Sequence, residues 1–250
     1  MINKLPEKYK KKLELILETA QNIFDDNLIN IILGGSGGKG NIIENWSDLD
    51  IYIIFKEYNK EQIINFLQSI KKDEIHVGIT YYTENEFKNG IIDLKTKVML
   101  YEKQNYNLNP TLYGEDIELN IDLEDIIFND KINFPNILHE FRRLYINLSI
   151  SEENKVEKSY IKKMLVLMKT ILRSYYSEFS YGYLQTLNLF YETMEKEGYL
   201  LIDNSHFDII DVIKNISNSK EKTLKFSEIL LGFAEVNEKK ERVRIYEKKN

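Results

Sequence analysis

Cysteine is absent from the 250 residues, which excludes disulfides, thiolate metal sites and cysteine nucleophiles. Histidine is scarce: His76, His139 and His206 are the only three, far apart in the chain, so a histidine-built zinc site is not expected. A basic excess is also lacking. Lys and Arg total 34 against 40 Asp and Glu, for a net charge of −6, and this disfavours a nucleic-acid partner, whose usual footprint is basic. No apolar run approaches the roughly 18 residues that span a bilayer. Residues 1–13 are charged and hold no apolar core of signal-peptide length, so a cytoplasmic protein with no membrane partner is expected. Internal repeats, low-complexity tracts and Gly/Ser linkers are missing too. What remains is 43% hydrophobic and 30% charged residues, the composition of a globular protein with one large domain or two small ones.

The hydrophobic pattern changes character along the chain. Residues 8–24 place Leu13, Ile16, Leu17, Ala20, Ile23 and Phe24 on one helical face, and residues 60–70 repeat that spacing. Residues 31–33, 48–55, 75–82 and 97–103 read as strands, and residues 109–114 as a turn. From about residue 130 the period becomes helical. Pro135 is expected to open a helix reaching Ile150, and further helices are expected over residues 156–176, 183–194, 207–216 and 224–236. A charged, exposed tail is expected over residues 237–250. The fold class is therefore α+β: a mixed α/β domain over residues 1–130, then an all-helical bundle over residues 131–250.

The stretch with most chemical content runs from Gly34 to Ile51. Gly34-Gly35-Ser36-Gly37-Gly38-Lys39-Gly40 follows a short apolar strand, and eleven residues separate Ser36 from Asp48. Alternate residues of a strand face the same way, so Asp48 and Asp50 offer paired oxygen ligands on one face beside the turn. Such ligands suit Mg²⁺, and a glycine turn rich in free N–H groups suits the phosphates such a metal carries. These residues point to a metal–nucleotide site.

Gly35-Ser36, the eleven-residue spacer and Asp48-Leu49-Asp50-Ile51 resemble the signature of the DNA polymerase β-like nucleotidyltransferase superfamily. Lys39-Gly40, Trp46-Ser47 and Leu112-Tyr113-Gly114 are similar to features of its small bacterial members. Among these, aminoglycoside and lincosamide nucleotidyltransferases show the same plan of an α/β domain followed by a helical one. The resemblance implies that Gly35 and Ser36 hold the triphosphate, that Lys39 pairs with phosphate, and that Asp48 and Asp50 are metal ligands and catalytic residues. It implies Mg²⁺ as cofactor, an NTP (ATP the expected donor) and a small-molecule acceptor whose hydroxyl receives the nucleoside monophosphate.

The family usually carries a third acidic residue on the next central strand. Here that strand should be residues 75–82, whose site-facing positions are His76, Gly78 and Thr80, with Glu74 just before them. His76 is the expected substitute base, histidine being a common general base; Glu74, Asp93 and Glu102 are further candidates. Three functions stay open at this point. They are transfer to an antibiotic-type small molecule, transfer to a protein or RNA in the manner of toxin-type relatives, and nucleotide binding by a regulatory protein without the third carboxylate. In the helical half, His139, Glu140, Arg142, Arg143 and the tyrosines 175, 176, 181 and 183 are expected to serve packing and surface roles rather than a site.

Overall fold

The structure, a computed structural model, describes residues 5–70, 74–106, 108, 110–117, 119–153, 155–180, 182–199 and 220–247, with side chains to residue 240 in the last segment. The chain divides into two compact units, Met1–Ile126 and Ile127–Asn250. The first unit runs α1 (Glu7–Phe24), β1 (Leu28–Gly34), α2 (Gly35–Gly38), β2 (Leu49–Phe55), α3 (Lys60–Ser69), β3 (Val77–Thr83), α4 (Glu84–Lys88), α5 (Leu94–Asn105) and β4 (Thr111–Tyr113). Among the described residues the strands form one mixed sheet in the order β3-β2-β1-β4. Strand β1 is antiparallel to β2 and β4, and β2 is parallel to β3.

Strand parity explains both cores. Ile31 and Leu33 of β1 and Leu49, Ile51, Ile53 and Phe55 of β2 join the buried face of α1 and residues Ile63 and Phe66 of α3. The alternate residues Ile32, Tyr52 and Ile54 face the other way, onto Tyr82, Phe87, Met99 and Leu100. An inner strand covered on both faces reads as a continuous apolar run, and residues 51–55 are all buried. Helix α1 is also tied to the approach to β2, because the Tyr9 hydroxyl donates to the Ser47 carbonyl at 2.9 Å.

Two local expectations are corrected here. Residues 97–103, expected as a strand, lie within helix α5. Asp93 caps that helix by accepting the Thr96 N–H at 2.7 Å, and Thr96, Met99, Leu100 and Lys103 are buried at helical spacing. The Val98-Met99-Leu100 run is too short for its period to decide between helix and strand. Residues 109–114, expected as a turn, contain the edge strand β4, which pairs with β1 through Tyr113 opposite Ile31 and Thr111 opposite Ile32.

Helix α6 (Leu123–Ile150) leads into the second unit, which continues with α7 (Lys158–Tyr176), α8 (Tyr183–Lys196) and α9 (Lys220–Glu247). Pro135 lies inside α6 rather than opening it. The helix starts a full three turns earlier, where the Asp122 carboxylate accepts the Glu124 N–H, and a proline removes only one of its backbone bonds. The helix expected over residues 207–216 lies outside the described residues. The tail expected to be exposed is helical through Glu247, and Asn237 within it is buried.

Aromatic contacts run through the unit's core. Phe190 and Tyr199 meet Phe233 edge-on, Tyr176 stacks on it, and Phe134 meets Tyr175 edge-on. Two of the polar residues singled out in this half pair within the bundle: Glu140 with Lys163 at 2.9 Å and Arg142 with Glu235 at 2.7 Å. Tyr181 is outside the described residues. No helix among the described residues is long and apolar enough to cross a membrane.

One charge pair in this unit is nearly sealed from water. Arg173 grips Asp130 through two bonds, Nε at 2.6 Å and one terminal nitrogen at 3.0 Å, with the side chains 14% and 1% exposed. Removing one member leaves the other charged and desolvated. Asp130→Ala is expected to destabilise the helical unit by about 3–5 kcal/mol, read as a lower urea midpoint in circular dichroism.

Candidate nucleotide and metal site

The site begins with strand register. Antiparallel pairing of β1 with β2 sets Gly34 opposite Asp50, so the end of one strand and the start of the other meet at the glycine turn. Gly35 then adopts φ +55, the left-handed conformation that glycine takes without steric cost. A Cβ there would lie 2.1 Å from Oδ2 of Asp50. On the other side, parallel pairing of β2 with β3 sets Gly78 opposite Asp50, and a Cβ there would lie 3.3 Å from Oδ1. The Asp50 carboxylate thus stands between two positions that carry no side chain.

The other expected residues sit around it. Asp48 precedes β2 by one residue and is half-buried. Its charge reaches the Tyr9 hydroxyl, whose pKa is raised first by burial and then by Asp48. Ser36 is half-buried in α2, and its carbonyl accepts the Asn41 N–H at 2.9 Å. The first N–H groups of such a helical turn have no acceptor within the turn itself. His76 is exposed just ahead of β3, where its carbonyl accepts the Leu49 N–H at 3.0 Å. That bond places His76 beside the entry to β2, next to Asp48 along the chain pairing. Glu74 is exposed as well.

Lys39 is engaged. Its ammonium pairs with Glu102 of α5 at 2.5 Å, with both side chains nearly buried at 9% and 10% exposure. The same helix reaches Asp50 with the opposite charge: Lys95 Nζ lies 2.6 Å from Asp50 Oδ1, the two side chains 59% and 24% exposed. Between these pairs lies Tyr52. Its ring is packed under Gly34, where a Cβ would come within 2.3 Å of it, and its buried hydroxyl has no hydrogen-bond partner. Burial raises that phenol's pKa first, followed by the nearby charge of Asp50, then Asp93, with Glu102 contributing as well. A cavity of about 660 Å³ opens beside α5, lined in part by Leu100, Lys103, Leu108 and Asp116.

Two carboxylates two residues apart at the head of β2 are a donor set of the kind that Mg²⁺ takes. Such an ion commonly keeps several waters and takes one or two carboxylates plus substrate phosphates. Oδ2 of Asp50 lies close against Gly35, and the Lys95 ammonium shows that a cation can seat against Oδ1. Among the described residues, no three His, Asp or Glu side chains come together as a metal cage. Lys95 is not among the sequence candidates, because a strand expected over residues 97–103 breaks the helix to which it belongs. Its only available signal was the helical spacing that links residue 95 with Met99 and Glu102.

Residues 11–105 match the nucleotidyltransferase domain family, a range that contains the glycine turn, both aspartates and all of α5. The first unit is therefore a nucleotidyltransferase domain of the polymerase β-like superfamily, and the chain is an enzyme of the nucleotidyl-transferring class. Its fold is similar to that of spectinomycin adenyltransferase AAD(9) from Enterococcus faecialis, whose crystal structure contains ATP and spectinomycin. The two share 14% identity over 89% of this chain and 98% of that one, with a TM-score of 0.55. No curated protein matches the sequence.

The crowding at Gly35 is testable. Gly35→Ala forces a methyl group onto the Asp50 carboxylate and a side chain into left-handed backbone, a strain of roughly 1–2 kcal/mol. Gly40→Ala, at φ +69 with no atom within 4 Å of its Cβ, carries strain without collision. Calorimetry with Mg²⁺ and ATP is expected to show roughly tenfold or greater weakening in the Gly35 variant and little change in the Gly40 variant.

Proposed function

We propose that this nucleotidyltransferase moves a nucleoside monophosphate from ATP to a hydroxyl group of a small, antibiotic-type acceptor and releases pyrophosphate. The observation that carries the reading is the Asp50 carboxylate, lodged between Gly35 and Gly78 beside the glycine turn with a cation already against it. Its companion Asp48, two residues earlier, supplies the second oxygen ligand. The ion they hold would screen phosphate charge and polarise the transferring phosphoryl group.

The chain's own parts then have distinct tasks. Gly35 and Ser36 offer backbone N–H groups at the start of α2 to the triphosphate. The acceptor oxygen forms a bond to the α-phosphorus while the bond from that phosphorus to the bridging oxygen breaks, so pyrophosphate carries away the electron pair. The acceptor's proton needs a base, and His76 is the proposed one, exposed at the head of β3 beside the entry to β2. The likeness in fold to an adenyltransferase whose structure holds ATP and spectinomycin supports ATP as donor and a small polar antibiotic as acceptor.

Labelled ATP and Mg²⁺ incubated with aminoglycosides, spectinomycin and lincosamides are expected to give a labelled antibiotic. Asp48→Asn and Asp50→Asn are each expected to lower that transfer by roughly 10²–10³-fold, the scale lost with one charge-stabilising group. Absence of product from every acceptor, or full transfer by Asp48→Asn, would overturn the proposal.

A further inference from the structure

We propose that Lys95 is a built-in occupant of the cation position at Asp50, which a metal ion must displace, so that metal enters this site with the nucleotide rather than before it. The inference rests on reading Asp50 as a metal ligand. The contact is charge-assisted and close, 2.6 Å from Nζ to Oδ1. The carboxylate it meets is flanked by Gly35 and Gly78, two positions without a side chain.

The two ion pairs of α5 differ in the property that decides whether they can open. Lys39–Glu102 is buried, at 9% and 10% exposure; separating it would leave two desolvated charges, so it acts as an anchor. Lys103 of the same helix pairs with Asp116, and Met99 and Leu100 are buried in the core. The helix is therefore held along its length. Lys95 sits in its first turn, just after the Asp93 cap, with its side chain 59% exposed. Exposed pairs of this kind are weak, and a lysine's long stem can swing into water while the helix stays in place. Lys95 is thus the part of α5 able to leave.

The charge balance gives the order of events. Asp48 and Asp50 bring two negative charges and Lys95 returns one positive charge. No third acidic or histidine ligand completes a cage among the described residues. A free divalent ion meets a partly neutralised pair of carboxylates and must expel an ammonium. An ion already bound to a triphosphate brings its own anionic ligands and offers the displaced ammonium a new partner.

Mn²⁺ binding, followed by the electron paramagnetic resonance of the free ion, separates the possibilities without reference to activity. Without nucleotide, Lys95→Met is expected to bind Mn²⁺ roughly threefold to tenfold more tightly than the parent protein, from the loss of a competing charge. Lys95→Arg, which keeps the charge, is expected to stay near the parent value. Adding ATP is expected to raise Mn²⁺ affinity more in the parent than in Lys95→Met, since coupling between two ligands is reciprocal. Unchanged or weaker binding by Lys95→Met, with Asp50→Asn still impairing it, would overturn the proposal and leave the metal site standing. An equal gain from ATP in both proteins would overturn the order of entry. Mn²⁺ binding indifferent to Asp50→Asn would remove the metal-site reading, and the proposal with it.

Discussion

The carboxylate of Asp50 needs bare neighbours. Register places it opposite Gly34 on one strand and Gly78 on the other, and the turn brings Gly35 close enough that any β-carbon would collide with Oδ2. Most of the first unit can be understood as holding that arrangement. The two sheet faces are packed, by α1 and α3 below and by α4 and α5 above, so β2 cannot slip. A one-residue slip would exchange the two faces of β2 and move Asp50 from the side of Tyr52 and Ile54 to that of Ile51 and Ile53. Packing of both faces is thus what keeps the carboxylate aimed at the turn.

Helix α5 provides the second organising element. It answers both charges of the site with opposite ones, Glu102 against Lys39 and Lys95 against Asp50. Burial makes the first pair an anchor and exposure makes the second replaceable. The Tyr52 hydroxyl lies within the electrostatic reach of both Asp50 and Glu102 and has no hydrogen-bond partner. A lone buried hydroxyl is costly, and this one belongs to a ring packed under the glycine turn. The Lys39 ammonium, expected at phosphate, pairs with Glu102 and so ties the end of the glycine turn to α5.

Local pattern recovered the helices with long, clean apolar faces, α1, α3, α7 and α8, because their periodicity extends over several turns. It failed where a segment was short or its signal shared. Residues 97–103 hold one apolar triplet, and the decisive feature, the Asp93 cap, lies outside them. Strand β4 is three residues long and exists because β1 offers an edge to pair with. Pro135 looks like a helix start in sequence, yet the bundle contacts on both sides carry α6 through it.

The sequence by itself determined the chemistry of the N-terminal unit: a glycine turn, an eleven-residue spacer and two aspartates at alternate positions. Turn geometry and strand parity are local properties, so those residues already mark the candidate site. The tertiary structure alone decided what surrounds it. Lys95 and Glu102 lie 45 and 63 positions beyond Asp50 and Lys39, and only the packing of α5 on the sheet brings them into contact. Gly78 likewise acquires its role through parallel pairing with β2. Such contacts depend on burial and register, which no stretch of neighbouring residues encodes alone.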